Sequence, residues 1–239
     1  MKTVFFIVIV LVSGFAAGII HGAVNLVIVE PYLDDAINIE NQKMFTSGEA
    51  YDTPKFWVEY YEYRSWQKGG EVLAGAILGT SIGALFGIVY ALSKNSLPSR
   101  NNIGKTLILA GLMWFTLFVI PFLKYPANPP TVGDGETVVL RGILYLTLIA
   151  ISGFLAIGFY QIFKRLKAKN RILPVIGYGV LISLVFFIMP ENPDEISTSM
   201  ELVNGFRAVA FLTGTVFWFT LALFLGVFWQ KTNPDLSNT

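Results

Sequence analysis

The apolar positions of this chain fall in six long blocks, residues 4–29, 72–92, 106–123, 142–163, 172–189 and 208–229, and every Asp, Glu, Lys and Arg lies outside them. A helix needs about 20 residues to cross a hydrocarbon layer of roughly 30 Å. The blocks therefore predict six transmembrane helices. The third and fifth hold only 18 residues each, so five full spans is the alternative count. The first block follows Met1-Lys2 as a signal peptide would, but it runs far past the roughly 7–15 residues of such a segment. No small-x-small cleavage site closes it before His21, so it is expected to be retained as a helix.

Composition agrees with the pattern. The chain of 239 residues is 54% hydrophobic and 14% charged, against roughly 25% charged in an ordinary soluble domain, and its mean hydropathy is +0.61. The expected fold is an all-α polytopic membrane protein, one membrane domain over residues 1–239. Residues 30–71 form its one long connection.

The connections set an orientation. Arg100 and Lys105 follow the second block, with Lys94 at its edge, and "KRLKAKNR" with Lys164, Arg165, Lys167, Lys169 and Arg171 follows the fourth; neither stretch has an acid. The positive-inside rule puts both in the cytoplasm, and both termini with them, with Lys2 and Lys231 on that side. Residues 30–71 then face outward with nine acids against four Lys or Arg. An acidic vestibule concentrates cations. Equally, acids collect on the face that the rule keeps poor in lysine. Within this connection "TPKFWVEYYEYRSWQ" interleaves Phe56, Trp57, Tyr60, Tyr61, Tyr63 and Trp66 with Lys55, Glu59, Glu62 and Arg64. That mixture predicts a helix in the membrane interface that leads into the second span. The aromatic interleaving of nucleic-acid binders does not suit an acidic segment outside a membrane, so no nucleic-acid partner is expected.

Small residues predict how helices pack. Gly14, Gly18 and Gly22 recur every four residues in the first block, and Gly75, Gly79, Gly83 and Gly87 in the second. Lipid offers little hydrophobic drive for association, so such ridges mark close backbone contact, here expected between these two helices. A P-x-N-P pattern at Pro126–Pro129 and again at Pro190–Pro193, with Glu30-Pro31 ending the first block, suggests parallel hairpin repeats.

Few groups can do chemistry. The chain has no cysteine and one histidine, which removes disulfides and thiolate ligands. His21 lies in the outer half of the first block, one helical turn from Asn25 and on a face with Gly14 and Gly18. An ionisable residue in a membrane helix is a functional candidate by default, and neutral imidazole ligates Co, Ni, Zn or Cu. An interhelical hydrogen bond explains it as well. Glu30, before a proline, and Glu191, between Pro190 and Pro193, stand at matching outer ends. If the repeats pack side by side, Glu30, Asp34 and Glu191 meet above His21 as a weak N/O site for a borderline divalent cation, with weak binding suited to release. Arg141 and Arg207, at outer helix ends, either neutralise those carboxylates or snorkel to lipid headgroups. No P-loop, Rossmann glycine pattern or zinc-protease helix is present. Without an obvious nucleophile, an enzyme using His21 and Glu30 as acid and base is the weakest reading. A non-transporting accessory subunit of a membrane complex is the main alternative to transport.

Three runs carry a resemblance: "GFAAGIIHGAVNLVIVEPYLDDAI" at 14–37, "PFLKYPANPPTVGDGETVVLRGILY" at 121–145, and "PENPDEI" with "LVNGFRAVAFLTGTVFW" after Pro190. In these the chain resembles the CbtA family of cobalt transporter subunits. The resemblance implies a multi-pass protein of the cytoplasmic membrane that takes up Co2+, with Ni2+ as the other cargo, and holds no permanent cofactor. Its implied partners are membrane lipid, a small histidine-bearing membrane subunit, CbtB, and further copies of the chain. The positions it carries over are His21, Glu30 and Pro31; Lys124, Pro126, Asn128, Pro129, Asp134 and Arg141; and Pro190, Glu191 and Arg207.

Overall fold

The computed structural model describes residues 3–130, 132–232 and 234. Lys2, used above for orientation, lies outside them. Among the described residues the chain is all helical, and six helices are long and apolar enough to span a membrane: Thr3–Ile28, Pro54–Ser93, Asn102–Lys124, Gly135–Arg165, Ala168–Ile188 and Met200–Thr232. The six-span count holds, including the two short blocks. Two compact units are distinguishable by their internal packing, residues 1–111, 129–131 and 200–239 in the first, and residues 112–128 and 132–199 in the second.

In the first unit α1 (Thr3–Ile28) stops where Pro31 follows. Proline has no N–H to continue the helical ladder and its ring crowds the carbonyl four residues back. The chain re-enters helix at once as α2 (Glu30–Ser47), with the proline in its first turn, where the missing N–H costs nothing. α2 ends at Gly48, whose φ of 81° lets its N–H turn back to the Met44 carbonyl.

Thr53 caps α3 (Pro54–Ser93) by accepting a hydrogen bond from the Phe56 N–H at 3.3 Å. The aromatic stretch is helical, as expected, and runs without a break into the second span as the first part of α3. At about 1.5 Å per residue, the 40 residues of α3 span roughly twice the hydrocarbon thickness. Its outer turns rise beside α2, where Phe45 meets Phe56 and Trp57 at ring separations of 5.0 and 6.0 Å. Gly69 and Gly70 do not break the helix.

The glycine ridges meet as expected. A methyl group on Gly75 would stand 2.6 Å from the Gly18 carbonyl oxygen, and one on Gly22 would stand 2.8 Å from the Val72 Cα. The obstacles are backbone, so only glycine allows this approach of α1 to α3. The start of α1 and the end of α3 close on Trp229 of α8 (Met200–Thr232), a fully buried ring that Phe6 meets at 5.8 Å and Tyr90 at 4.9 Å, both edge-on. The Tyr90 hydroxyl donates to Asn102 Oδ1 at 2.9 Å, which ties α3 to the start of α4 (Asn102–Trp114).

In the second unit α4 passes through a π-turn, Phe115–Val119, into α5 (Ile120–Lys124). The Ser152 hydroxyl of α6 (Val138–Arg165) donates to the Thr116 carbonyl inside that turn at 2.6 Å, and it pairs with the Tyr178 hydroxyl of α7 (Ile172–Ile188) at 2.8 Å. Ile120, Tyr125, Leu144, Leu148 and Ile182 form the apolar core of this unit. The two proline-rich turns are linked by the Tyr125 hydroxyl, which donates to the Pro190 carbonyl at 2.6 Å.

Candidate functional site

The polar groups of the first unit gather where α1, α2 and α3 meet. Glu30 and Asp34 lie one turn apart on α2, and Arg64 and Lys68 one turn apart on α3. Four-residue spacing puts each pair on one face of its helix, and the two faces meet. Arg64 Nη2 donates to Glu30 Oε2 and, at 2.8 Å, to Asp34 Oδ1. Lys68 Nζ donates to Asp34 Oδ2 at 2.7 Å and stands 3.7 Å from Glu30 Oε2. Gln67 accepts from Arg64 Nη1 at 2.8 Å.

Burial separates the two halves of this network. The Glu30 and Arg64 side chains are 7% and 9% exposed, whereas those of Asp34 and Lys68 are 37% and 39% exposed. The inner pair has lost its water and depends on its partner. The outer pair is wet and contributes little. Burial alone would raise the Asp34 carboxyl, but hydrogen bonds from Lys68 and Arg64 outweigh it and hold the group below the usual carboxylate range.

His21 sits deeper, on α1. Its ring packs on Phe217 of α8 at 5.4 Å, with the Thr213 backbone beside it. The histidine therefore faces the helix bundle of the first unit and not lipid. Asn25 Nδ2 lies 3.5 Å from His21 Nε2, and Glu71 of α3 approaches both Asn25 and Glu30. Four buried side-chain atoms here lack a hydrogen-bond partner: His21 Nδ1, Asn25 Oδ1, Glu71 Oε2 and Arg64 Nε.

The four residues read from the sequence as a ligand set stand in different surroundings. Of His21, Glu30, Asp34 and Glu191, the two α2 carboxylates are committed to Arg64 and Lys68. Glu191 is exposed and belongs to the second unit. Among the described residues no three His, Asp or Glu side chains stand together as a preformed metal-binding group. Arg141 pairs at 2.7 Å with Asp194, whose side chain is 1% exposed and also accepts from the Thr137 hydroxyl at 2.9 Å. Sequence reasoning passed over Arg64, Lys68, Glu71 and Asp194. The readable signal was the pair of stripes, Glu30 and Asp34 on one helix against Arg64, Lys68 and Glu71 on the next.

Six helices long and apolar enough to span a membrane, with one histidine packed inside the first unit and a buried ionic network, describe a multi-pass membrane protein. A family model described as "Probable cobalt transporter subunit (CbtA)" matches residues 4–230. The chain belongs to the CbtA family. Comparison with curated proteins and with solved structures finds no match.

Proposed function

We propose that the chain is the membrane-spanning subunit of a transition-metal uptake system, with Co2+ as its cargo, in the cytoplasmic membrane. The family match over residues 4–230 carries this reading. The polar groups of the first unit support it: they put an imidazole, an amide and carboxylates inside a helix bundle, where such groups mark ion paths. In this reading residues 30–71 face outward, both termini face the cytoplasm, and the acidic connection raises the local cation concentration. One imidazole without a thiolate is a thin ligand set for a borderline metal. A small histidine-bearing subunit supplies the missing donors. The chain acts as a conduit and not as an enzyme.

The commitment of Glu30 and Asp34 to Arg64 and Lys68 favours a second reading, in which the network is structural and the chain an accessory subunit. Uptake of radioactive cobalt by cells decides between them. The cells would express the chain with and without the small partner, and the parent would be compared with His21→Ala at matched membrane abundance. Transport predicts uptake that depends on the chain and falls in the variant. Correctly inserted protein that adds no uptake in either setting overturns the transport reading.

A further inference from the structure

The ion-pair network leaves one carboxylate over. Glu71 lies on the stripe of α3 that bears Arg64 and Lys68, yet among the described residues no Lys or Arg pairs with it. Three carboxylates, Glu30, Asp34 and Glu71, thus share two cations, and Glu71 is the one without. Its Oε2 is buried and unpartnered, as are Asn25 Oδ1 and His21 Nδ1. A charge removed from water is normally paired or coordinates a metal, and each orphaned buried polar atom calls for a water or an ion.

The two oxygens offer lone pairs, and the His21 ring, with Nε2 3.5 Å from Asn25 Nδ2 and the Thr213 backbone on its other contact, offers one from a single nitrogen. A cation is their common complement. A proton on Glu71 would add a single donor. The backbone holds the set in place: Gly22, next to His21, brings α1 so close that a methyl there would stand 3.0 Å from the Glu71 carbonyl oxygen. The glycine contact therefore holds α1 against α3 at Glu71, whose carboxylate meets Asn25, one helical turn from His21.

We propose that Glu71, Asn25 and His21 form the resting site of the transported cation, an N/O donor set for a borderline divalent metal. The inference rests on the transport reading above. In it Glu30 is a positioning residue and not a ligand: clamped by Arg64, it closes the site toward α2 and adds negative potential. Because the third donor is an amide, the site is no cluster of three His, Asp or Glu groups. Its modest affinity suits a group that must let its cargo go.

The test is Co2+ binding by the purified full chain in detergent, by equilibrium dialysis and visible absorption, with excess Mg2+ present. Parent, Glu71→Gln, Asn25→Ala and the exposed control Glu62→Gln are compared. Loss of even an outer partner that orients a metal ligand typically costs about 10–100-fold, so Glu71→Gln and Asn25→Ala should each weaken binding by about tenfold or more and change the spectrum, while Glu62→Gln matches the parent. Parent-like binding in Glu71→Gln overturns the site, since glutamine mimics a merely protonated, structural carboxyl. If Glu71→Gln does not fold, parent-like binding in Asn25→Ala overturns it instead. Cellular uptake separates the two ideas. Uptake and binding that both survive Glu71→Gln leave transport standing without this site. Glu71-dependent binding in a chain that adds no uptake keeps the site and overturns transport.

Discussion

Replacing Arg64 with methionine should destabilise the protein more than any other single change in the ionic network, and a second change should undo most of the damage. Methionine keeps much of the side-chain volume but leaves the Glu30 carboxylate buried, at 7% exposure, without its main partner. Breaking a buried pair in this way costs about 3–5 kcal/mol, whereas replacing both members by groups of similar shape is often neutral. Lys68, 3.7 Å from Glu30 and 39% exposed, recovers little of the loss because wet pairs are worth about 0–1 kcal/mol. The double variant Arg64→Met/Glu30→Gln should therefore stand within about 1–2 kcal/mol of the parent, the remainder being the unmet hydrogen bonds of the amide. Lys68→Met alone should cost less than about 1 kcal/mol. The assay is reversible unfolding of the purified chain in mixed micelles, read by tryptophan fluorescence and completed as a double-mutant cycle. A cost below about 1 kcal/mol for Arg64→Met, or no recovery in the double variant, would show that water reaches the pair and that the burial argument is wrong.

Two further outcomes follow from packing and titration. Gly75→Leu should separate α1 from α3, because its side chain would press on the Gly18 backbone and backbone cannot swing aside. Overpacking costs about 1–3 kcal/mol, and the loss should appear as a lower midpoint in the same unfolding assay and as faster proteolysis of α1; an unchanged midpoint refutes the tight contact. For Asp34 the folded carboxyl is held below its usual range, so its contribution is complete above the unfolded value and is lost as pH falls through the folded one. Parent and Asp34→Asn should accordingly differ near neutrality and converge in acid, and a difference that grows on acidification contradicts the assignment.

The sequence and the structure agree where one rule acts alone. Charge-free runs of about 20 residues have no other stable place than a membrane, so six spans could be read directly. Four-residue glycine spacing has one geometric meaning on a helix, and Gly18 against Gly75 follows from it. The unbroken length of α3 was harder to read: composition divides the acidic connection from the second apolar block, whereas one helix runs from Pro54 through Gly69 and Gly70 to Ser93. The π-helical turn at Phe115–Val119 stands just ahead of Pro121, which has no N–H to give the helical ladder, and the Ser152 hydroxyl reaches its Thr116 carbonyl from another helix.

The candidate site was half legible for a different reason. Acids at outer helix ends were read as free ligands because their partners lie far away in sequence, 34 positions from Glu30 to Arg64, inside a stretch whose aromatic residues gave it another meaning. Counting acids locates negative charge, and only pairing shows which of it is available. Glu30 and Asp34 satisfy Arg64 and Lys68, and that leaves Glu71, at the edge of the second apolar block, as the group with unspent charge. Its place beside Asn25, one turn from His21, follows from the glycine contact and not from any spacing of ligands. The feature that packs the helices thus also sets the chemistry: α1 and α3 must touch at Gly22 before an imidazole on one and a carboxylate on the other can serve the same ion.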